Sequence, residues 1–299
     1  MKISGHNIDI SNTDKVFFDK ENFTKGDVIE YYRDISDFIL PHLEDRPLML
    51  QRFPDGIDGD GFYQKEASDY FPEWIKTKSL KKEDGKVNHV ICNDKATLIY
   101  LANQGTITFH GWLSKVDKIK YPDKLVIDLD PPSSDFEIVR KAAFLIKDTL
   151  EEMDVTSFLT TTGSSGAHVV IMLDGKCDFD QSRDFGKNLG DFLSAKYSDV
   201  FTTAARKEKR NGKLYFDIQR NAYAQTAVVP YSIRPIENAP IATPLDWEEL
   251  KDKSINARSY DLKNIKRRLS QKEDPWKGAR RSAYGINSLA ERLKKLKGQ

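Results

Sequence analysis

Apolar side chains recur at helical spacing in the first part of the chain, over residues 26–46. The positions that define this stripe are Val28, Ile29, Tyr32, Ile35, Phe38, Ile39 and Leu43. Because residues three and four apart share one face of an α-helix, the spacing predicts one amphipathic helix with Pro41 near its end. Asn12 and Thr24, which precede this stripe, are candidates for N-caps or turn residues.

Strand-like and helix-like patterns alternate along the rest of the chain. The predicted elements are a helix and a strand within 97–113 that Gly105 separates, a strand at 124–130, a helix at 135–153, two strands joined by a turn within 155–173, a helix at 180–197, a strand at 214–218 and a β-rich stretch at 225–234. Pro131 and Pro132 end the strand before them, and Ser133 or Ser134 is predicted to cap the following helix. The basic run 205–213 is predicted to be a hairpin loop. The close hairpins favour an α+β fold, with mixed or antiparallel central sheets flanked by helices, over a parallel doubly wound sheet.

The composition indicates a folded protein of one large domain or two modest ones. The chain has 299 residues and 34.2 kDa, of which 39% are hydrophobic and 31% charged, so wholesale disorder is excluded. No apolar run approaches the ~20 residues that a membrane span needs, and the N-terminal segment lacks the apolar core of a signal peptide. Cys92 and Cys177 cannot form a disulfide framework by themselves. We therefore expect a cytoplasmic protein.

The net charge of +1 conceals an uneven distribution. Residues 251–299 contain 15 Lys and Arg against 5 Asp and Glu, a balance of +10, which leaves residues 1–250 with 32 against 41, a balance of −9. This division separates a mildly acidic domain over 1–250 from a basic helical extension over 251–299 that is predicted to be packed on it or attached to it. A basic segment suggests a polyanionic partner, although a solvated basic helix at a chain end has the same composition.

Asp128 and Asp130 lie two residues apart in the predicted strand 124–130, so both side chains project from one face of it. Paired carboxylates repel each other unless a cation neutralises them, and oxygen-preferring Mg²⁺ or Mn²⁺ would do so. The alternative is an exposed strand end whose acids cap the next helix. Asp217 is a third acid within an apolar strand, and three such acids fit a phosphoryl-transfer site with two metal ions.

Two further segments have the composition of a nucleotide or nucleic-acid site. The segment from Thr162 to His168, Thr-Gly-Ser-Ser-Gly-Ala-His, offers backbone amides and hydroxyls to phosphate, although a plain hairpin turn has the same glycine and serine content. Phe62 and Tyr63 beside Lys65 could stack on bases or pack in a core strand.

One motif points to a different enzyme class and is rejected. Lys82-Glu83-Asp84-Gly85 matches the nucleotidyl-lysine signature of polynucleotide ligases. It lies in a charged run predicted to be an exposed turn, and the downstream motifs of a ligase are not visible.

In order along the chain, the motifs resemble the polymerase domain of bacterial ligase D, a member of the archaeo-eukaryotic primase superfamily that acts in non-homologous end joining. The similarity spans residues ~10–250. The matching pieces are Asn12-x-x-Lys15, Thr24-Lys25-Gly26-Asp27, Arg52-Phe53-Pro54-Asp55-Gly56, Phe62-Tyr63-Gln64-Lys65, His110-x-Trp112, Asp128-Leu129-Asp130-Pro131, the segment from Thr162 to His168, Phe216-Asp217 and Pro230-Tyr231-Ser232-Ile233-Arg234.

The resemblance implies a primase-polymerase fold and a role for each matched residue. It implies Asp128, Asp130 and Asp217 as catalytic ligands of two Mn²⁺ or Mg²⁺ ions; His110, Thr162, Ser164, Ser165, His168, Arg220 and Arg234 as nucleotide-binding residues; Asn12, Lys15 and Lys25 as ligands of a DNA 5′-phosphate; and Arg52, Phe62, Tyr63 and Lys65 as template-binding residues. It also implies a preference for ribonucleotides and for Mn²⁺.

The sequence departs from the family pattern in two places. Ser165 stands where the family often has a lysine, and Ile218-Gln219-Arg220-Asn221 stands where it often has Trp or Tyr followed by a glutamine two residues later. We expect Arg220 to replace both the glutamine and the missing lysine charge. The length predicts a stand-alone or excised polymerase, acting near the nucleoid with separate ligase and Ku-type proteins. A de novo primase and a catalytically weak DNA-end-binding module remain the alternatives.

Overall fold

The computed structural model describes residues 1–82, 85–133 and 135–298. Glu83 and Asp84 of the rejected ligase-like motif, and Ser134 of the predicted helix cap, lie outside the described residues. The chain forms two compact units, each assembled from three segments. Unit 1 comprises residues 1–117, 226–242 and 260–272, and unit 2 comprises residues 118–225, 243–259 and 273–299.

The strands are short and mostly antiparallel. In chain order they are β1 (Lys2–Ile3), β2 (His6–Asn7), β3 (Val16–Phe18), β4 (Phe23–Thr24), β5 (Leu48–Arg52), β6 (Phe62–Gln64), β7 (Thr77–Lys82), β8 (Gly85–Val90), β9 (Thr106–Trp112), β10 (Lys124–Asp130), β11 (Phe158–Thr161), β12 (Ala167–Met172), β13 (Phe201–Thr202), β14 (Leu214–Asp217), β15 (Thr226–Val228) and β16 (Pro244–Leu245).

Helices connect and flank these strands. They are α1 (Lys25–Asp34), α2 (Ser36–Leu43), α3 (Lys95–Asn103), α4 (Phe136–Glu152), α5 (Phe179–Lys196), α6 (Ile265–Gln271) and α7 (Ile286–Lys297), with short 3₁₀ turns at Val116–Lys118, Lys207–Lys209, Glu249–Lys251 and Ala279–Ser282. Together with the mainly antiparallel sheets, they confirm the predicted α+β class.

Unit 1 is built on a four-stranded sheet in the order β15-β9-β5-β6. Every residue of β9 is buried, and the apolar faces of α1, α2 and α3 join it in one core. Such burial is the main favourable contribution to folding. The hairpin of β7 and β8 and the small pairs β1-β2 and β3-β4 complete the unit.

Unit 2 is built on a six-stranded sheet in the order β13-β14-β10-β12-β11-β16. β13 and β14 pair in parallel and the other neighbours are antiparallel. Gly190 of α5 lies so close to the Phe216 ring that an added Cβ would be 2.6 Å from it. Because side chains alternate along a strand, α5 therefore covers the face opposite to that of Asp217.

Three local predictions differ from the structure. The stripe over 26–46 forms two helices, α1 and α2, because the chain breaks at Ile35. The cap of α4 is Asp135, whose side chain accepts from the Glu137 amide, and Ser133 instead accepts from the Asp135 amide. The run 205–213 is not a hairpin loop, since β13 and β14 on either side of it are parallel and a hairpin joins antiparallel strands.

The basic segment 251–299 is distributed over both units rather than forming one separate body. Residues 260–272, including the buried Ile265, belong to unit 1, and the remainder belongs to unit 2. Trp276 is buried and donates from Nε1 to the Leu159 carbonyl at 3.0 Å, while Leu289 and Leu293 of α7 are also buried. Among the described residues, no helix is long and apolar enough to span a membrane.

Candidate active site

Asp217, Asp128 and His168 form a row across the middle of the six-stranded sheet. Asp128 of β10 is the direct register partner of Asp217 on β14 and of His168 on β12. Directly opposed residues project from the same face of a sheet, and Asp130, two residues beyond Asp128, shares that face. Pairing of β10 with β14 therefore brings together three acids that are up to 89 positions apart in the sequence (217 − 128), and pairing of β10 with β12 adds His168.

The Asp128 carboxylate is 3% exposed and lies between two basic side chains. Its Oδ2 accepts from Arg220 Nε at 2.7 Å, and its Oδ1 lies 3.4 Å from His168 Nε2. Burial alone would raise the pKa of Asp128, but the interactions with His168 and Arg220 outweigh it and hold this pKa well below the usual range. Asp128 is therefore an anion across the physiological pH range.

The pKa values of the other two acids, Asp130 and Asp217, are shifted upward instead. Partial desolvation and the charge of Asp128 raise the pKa of Asp130, against a hydrogen bond from Ser165 Oγ at 3.2 Å. Desolvation and the charges of Asp128 and Asp130 likewise raise the pKa of Asp217, although the Gln219 amide donates to its Oδ1 at 2.7 Å. Three carboxylates facing one guanidinium leave an excess of negative charge, which a further cation would relieve.

The chemistry of this donor set suits hard divalent cations. The acids offer carboxylate oxygens, which Mg²⁺ and Mn²⁺ prefer, and burial together with the neighbouring carboxylate charges raises the pKa of Asp130 and of Asp217. Across residues 1–82, 85–133 and 135–298, no three His, Cys, Asp or Glu side chains converge closely enough to hold one ion together. The cation placed against Asp128 is Arg220.

The turn between β11 and β12 lies beside the acids. Thr162 Oγ1 accepts from the amides of Ser164 and Gly166 and donates to the Gly166 carbonyl at 3.1 Å. A Cβ on Gly166 would stand 2.0 Å from the Leu129 carbonyl oxygen, so only glycine permits this approach to β10. Through the Ser165–Asp130 hydrogen bond, the turn is connected directly to the acid cluster.

Arg220, the residue expected to replace the missing glutamine and lysine charge, lies beside the acids. Its guanidinium pairs with Asp128, and 43% of its side chain is exposed. The turn itself is contacted by Arg258, which the sequence analysis did not select and which donates from Nε to the Ser164 carbonyl at 2.6 Å.

Asn12, Lys15 and Lys25 come together at the start of α1 in unit 1. The Lys25 amide donates to the Lys15 carbonyl at 2.8 Å, and Lys25 Nζ donates to the Ser11 carbonyl at 2.7 Å. Burial and the charge of Lys15 lower the pKa of Lys25. Lys15 pairs with Asp55, and Asn12 has a left-handed backbone with φ of 53°.

The first amides of α1 are already bonded. The Lys25 and Gly26 amides donate to the carbonyls of Lys15 and Thr13, and the Asp27 amide donates to the side chain of Thr24, the N-cap. A helix start binds anions through free amides. At this helix the cations available to an anion are therefore the lysine side chains.

The four residues predicted to bind template are also in unit 1, on or next to β5 and β6. Arg52 is 6% exposed, and its Nη1 donates to Gln64 Oε1 at 2.7 Å and to the Tyr70 hydroxyl at 3.0 Å, with the guanidinium 5.3 Å from the Phe62 ring centroid. Phe62, Tyr63 and Tyr70 are exposed. Residues 62–70, including Lys65, line a shallow recess of about 670 Å³ with Arg52.

His110 and Arg234 are the nucleotide-site candidates in unit 1. His110 is buried in β9, between its register partners Met49 and Val228, and its ring meets that of Tyr63 edge to face at 5.9 Å. Arg234 is half-buried and follows Ile233, whose carbonyl accepts from Thr108 of β9. His110 is thus in contact with the predicted template surface.

A family model described as "LigD, primase-polymerase domain" matches residues 24–276. The chain belongs to this family. It is 31% identical over 271 residues to the bifunctional non-homologous end joining protein LigD of Bacillus subtilis, a match that covers 90% of this chain and 43% of that protein. It is 29% identical over 256 residues to the multifunctional LigD of Pseudomonas aeruginosa, which covers 85% of this chain and 30% of that protein.

The solved structures agree on the fold. The polymerase domain of Mycobacterium tuberculosis ligase D, solved in complex with DNA, superimposes with a TM-score of 0.86 at 23% identity, over 93% of this chain and 99% of that one. The chain thus has the fold of a LigD primase-polymerase domain, and it spans less than half the length of the two LigD relatives described above.

Two site features were not found by sequence reasoning. Arg258 is an exposed arginine in an irregular segment, and its partner Ser164 is 94 residues away. Tyr70 lies outside the aromatic pair that the motif highlighted. No sequence signal singled out Tyr70, because only the folded hairpin of β5 and β6 brings its hydroxyl to the Arg52 guanidinium.

Proposed function

We propose that this chain is a template-directed nucleotidyltransferase that extends DNA ends and fills gaps during double-strand-break repair by end joining. The observation that carries the proposal is the row of Asp217 and Asp128 on one sheet face, with Asp130 beside them. The glycine- and serine-rich turn over residues 162–166 is attached to Asp130 through Ser165. This arrangement supports binding of cations by the acids and of an anionic substrate at the adjacent turn.

Asp128, Asp130 and Asp217 would hold two Mn²⁺ or Mg²⁺ ions. Such ions supply a lowered pKa at the attacking 3′-hydroxyl and neutralise charge on the departing pyrophosphate. The protein contributes the fixed positions of the acids, because β10 and β14 hold Asp128 and Asp217 in direct register. His168 and Arg220 keep Asp128 ionised and ready to act as a ligand.

The nucleotide would be bound through its triphosphate. In unit 2, Thr162, Ser164, Ser165 and His168 are the candidates, with Arg220 next to the acids. In unit 1, Arg234 is the candidate for the triphosphate and His110 for the sugar. A preference for ribonucleotides and for Mn²⁺ belongs to this proposal and follows from the family resemblance.

The DNA would be bound through unit 1. Phe62 and Tyr63 present exposed rings on which template bases can stack, supported by Arg52 and Lys65. Lys15 and Lys25, with Asn12, would bind the 5′-phosphate on the far side of a gap. LigD proteins named for non-homologous end joining support this pathway, in which a ligase and a Ku-type protein would be the partners.

The decisive experiment is primer extension on a gapped duplex whose downstream strand ends in 5′-phosphate, with Mn²⁺ or Mg²⁺ and with either NTP or dNTP. We expect templated addition that stops at the gap end and favours NTP. Synthesis of dinucleotides without a primer would instead identify a de novo primase. DNA-end binding without any extension would identify a binding module and overturn the proposal.

A further inference from the structure

Arg258 is joined to the turn over residues 162–166 by a short hydrogen bond within unit 2. Its Nε donates to the Ser164 carbonyl at 2.6 Å, although 94 residues separate the two positions. Ser164 is half-buried, whereas the Arg258 side chain is exposed. The guanidinium therefore sits at the surface, next to the turn that connects to Asp130.

The backbone that carries Arg258 is held in place by another arginine. Arg140 of α4 is 6% exposed, and its guanidinium donates to the carbonyls of Leu250, Lys253 and Ile255, the last at 2.5 Å. The Arg258 amide then donates to Asn256 Oδ1 at 2.8 Å. The buried Arg140 thus fixes the backbone of this segment, and the hydrogen bond from Nε to Ser164 restrains the Arg258 side chain, so less conformational entropy is lost when Arg258 binds a ligand.

Two of the backbone amides in the turn that could bind an anion are already engaged in hydrogen bonds within it. Thr162 Oγ1 accepts the amides of Ser164 and Gly166, so these two N–H groups do not point to a ligand. Arg220, the other arginine near the acids, is paired with Asp128. Binding of a polyphosphate at this turn therefore calls for another cation.

Arg258 has the free donors that such a ligand needs. Within the described parts of the chain, its only hydrogen bond from the side chain is made by Nε, and no ion pair includes it. The two Nη groups, with two N–H donors each, therefore stay available on a guanidinium that is bound to the turn through Nε. A guanidinium binds phosphate through two parallel hydrogen bonds, more specifically than an ammonium group does.

We propose that Arg258 binds the β- and γ-phosphates of the incoming nucleotide, and the pyrophosphate that leaves, as the cationic partner of the 162–166 turn. The inference rests on the proposed nucleotidyl transfer and adds to it a residue outside the strand and turn motifs. Arg258 is a binding residue here: it anchors on Ser164 through Nε and offers its Nη groups to the polyphosphate.

The test compares Arg258→Gln and Arg258→Lys with Lys253→Gln, a matched loss of one positive charge in the same exposed segment. Isothermal titration measures binding of ATP, inorganic tripolyphosphate and AMP, which needs no catalysis. We expect Arg258→Gln to weaken ATP and tripolyphosphate binding by about tenfold or more, the loss of one charge-assisted phosphate contact, and AMP binding by less than about twofold. Arg258→Lys should recover part of the loss, and Lys253→Gln should match the wild type.

Primer extension supplies the second readout. Arg258→Gln should raise the KM for the nucleotide by a similar factor and reduce inhibition by pyrophosphate, with kcat changed by less than about threefold and DNA affinity unchanged. If Arg258→Gln weakens the binding of ATP and of AMP equally, Arg258 only stabilises the turn, and the inference is overturned. Unchanged ATP binding in Arg258→Gln would also overturn it. A wild-type protein that binds ATP in this manner but extends no primer would contradict the proposed function and leave the assignment of Arg258 standing.

Discussion

Arg220 donates from Nε to Oδ2 of Asp128 at 2.7 Å, and this ion pair divides the acid cluster into two kinds of carboxylate. Asp128, which His168 also approaches, is stabilised as an anion. Asp130 and Asp217 share its sheet face and have raised pKa values. Substitutions of these acids should therefore agree in their effect on activity and differ in their effect on stability.

Asp128→Ala and Asp130→Ala should each abolish nucleotide addition, with a fall in rate of about 10³-fold or more, because each would remove two carboxylate oxygens from the proposed cation site. DNA binding should survive, and fluorescence anisotropy with a gapped duplex measures it alongside single-nucleotide incorporation. Asp199→Ala, which removes an exposed acid paired with Lys141, is the control and should retain full activity. Activity within a few-fold of the wild type in either site variant would contradict the metal-ligand assignment.

In metal-free buffer at neutral pH, Asp128→Asn should lower the free energy of unfolding by about 1–3 kcal/mol, since it breaks a charged hydrogen bond at a buried carboxylate. The folded-state pKa of Asp128 is depressed, so its contribution is present above the ordinary Asp pKa and is lost as the pH falls towards the folded value. Urea denaturation of the wild type and of Asp128→Asn over a pH series measures this contribution.

Asp217→Asn should act in the opposite direction and raise the apparent Tm by about 1–3 °C in chelator. The folded-state pKa of Asp217 is raised, so ionisation destabilises the wild type as the pH rises from the ordinary Asp pKa through the folded value. The gain should vanish in acid, where the carboxyl is protonated in both states. Addition of Mn²⁺ should stabilise the wild type more than Asp217→Asn, and equal stabilisation of both would argue against Asp217 as a ligand.

Gly166→Ala should destabilise the protein by about 2–4 kcal/mol, because the new Cβ would meet the Leu129 carbonyl oxygen at 2.0 Å and force β12 away from β10. Asp130 would lose its Ser165 partner at the same time, so nucleotide addition should fall together with stability. Gly298→Ala is the control, since its Cβ would make contacts of 3.6 Å and longer. Thermal unfolding followed by circular dichroism distinguishes the two variants.

Trp276→Ala should cost about 3–5 kcal/mol of stability, and Trp276→Phe about 0.5–1.5 kcal/mol, the approximate value of the hydrogen bond to the Leu159 carbonyl.

Removal of residues 273–299, which include Trp276, should consequently destabilise unit 2 rather than merely weaken DNA binding. The charge pattern alone predicts that truncation of the basic segment weakens DNA binding. A truncated chain with an unchanged melting temperature and weaker, more salt-sensitive DNA binding would favour that reading.

Gap filling should be at least about tenfold more efficient on a downstream strand that ends in 5′-phosphate than on one that ends in 5′-hydroxyl, given phosphate contacts of about 1.5–3 kcal/mol each. Lys15→Ala combined with Lys25→Ala should erase that preference while extension of an open primer–template changes little. Because Lys25 also bonds to the Ser11 carbonyl, Lys25→Met tests whether loss of packing accounts for the result. Equal use of both ends by the wild type would refute the 5′-phosphate site.

Much of the local structure follows from patterns within a few residues. The apolar run closed by two prolines predicts a strand at 124–130, and β10 has these bounds. Thr24 caps α1 in a capping box with Asp27, as its position before the apolar stripe suggested. Such elements are predictable because periodicity, caps and proline act through the backbone of neighbouring residues.

The sequence by itself also determined the family, because the motifs resemble it in order along the chain, and it singled out Asp128, Asp130 and Asp217 as candidate acids. It did not determine their state of charge, which depends on Arg220 and His168 reaching Asp128 across strand register. Nor did it indicate the break at Ile35, where no polar side chain caps either helix. The contact of Arg258 with Ser164 is likewise decided by tertiary structure, since a hydrogen bond between residues 94 positions apart exists only after the chain has closed that distance, and no local pattern encodes it.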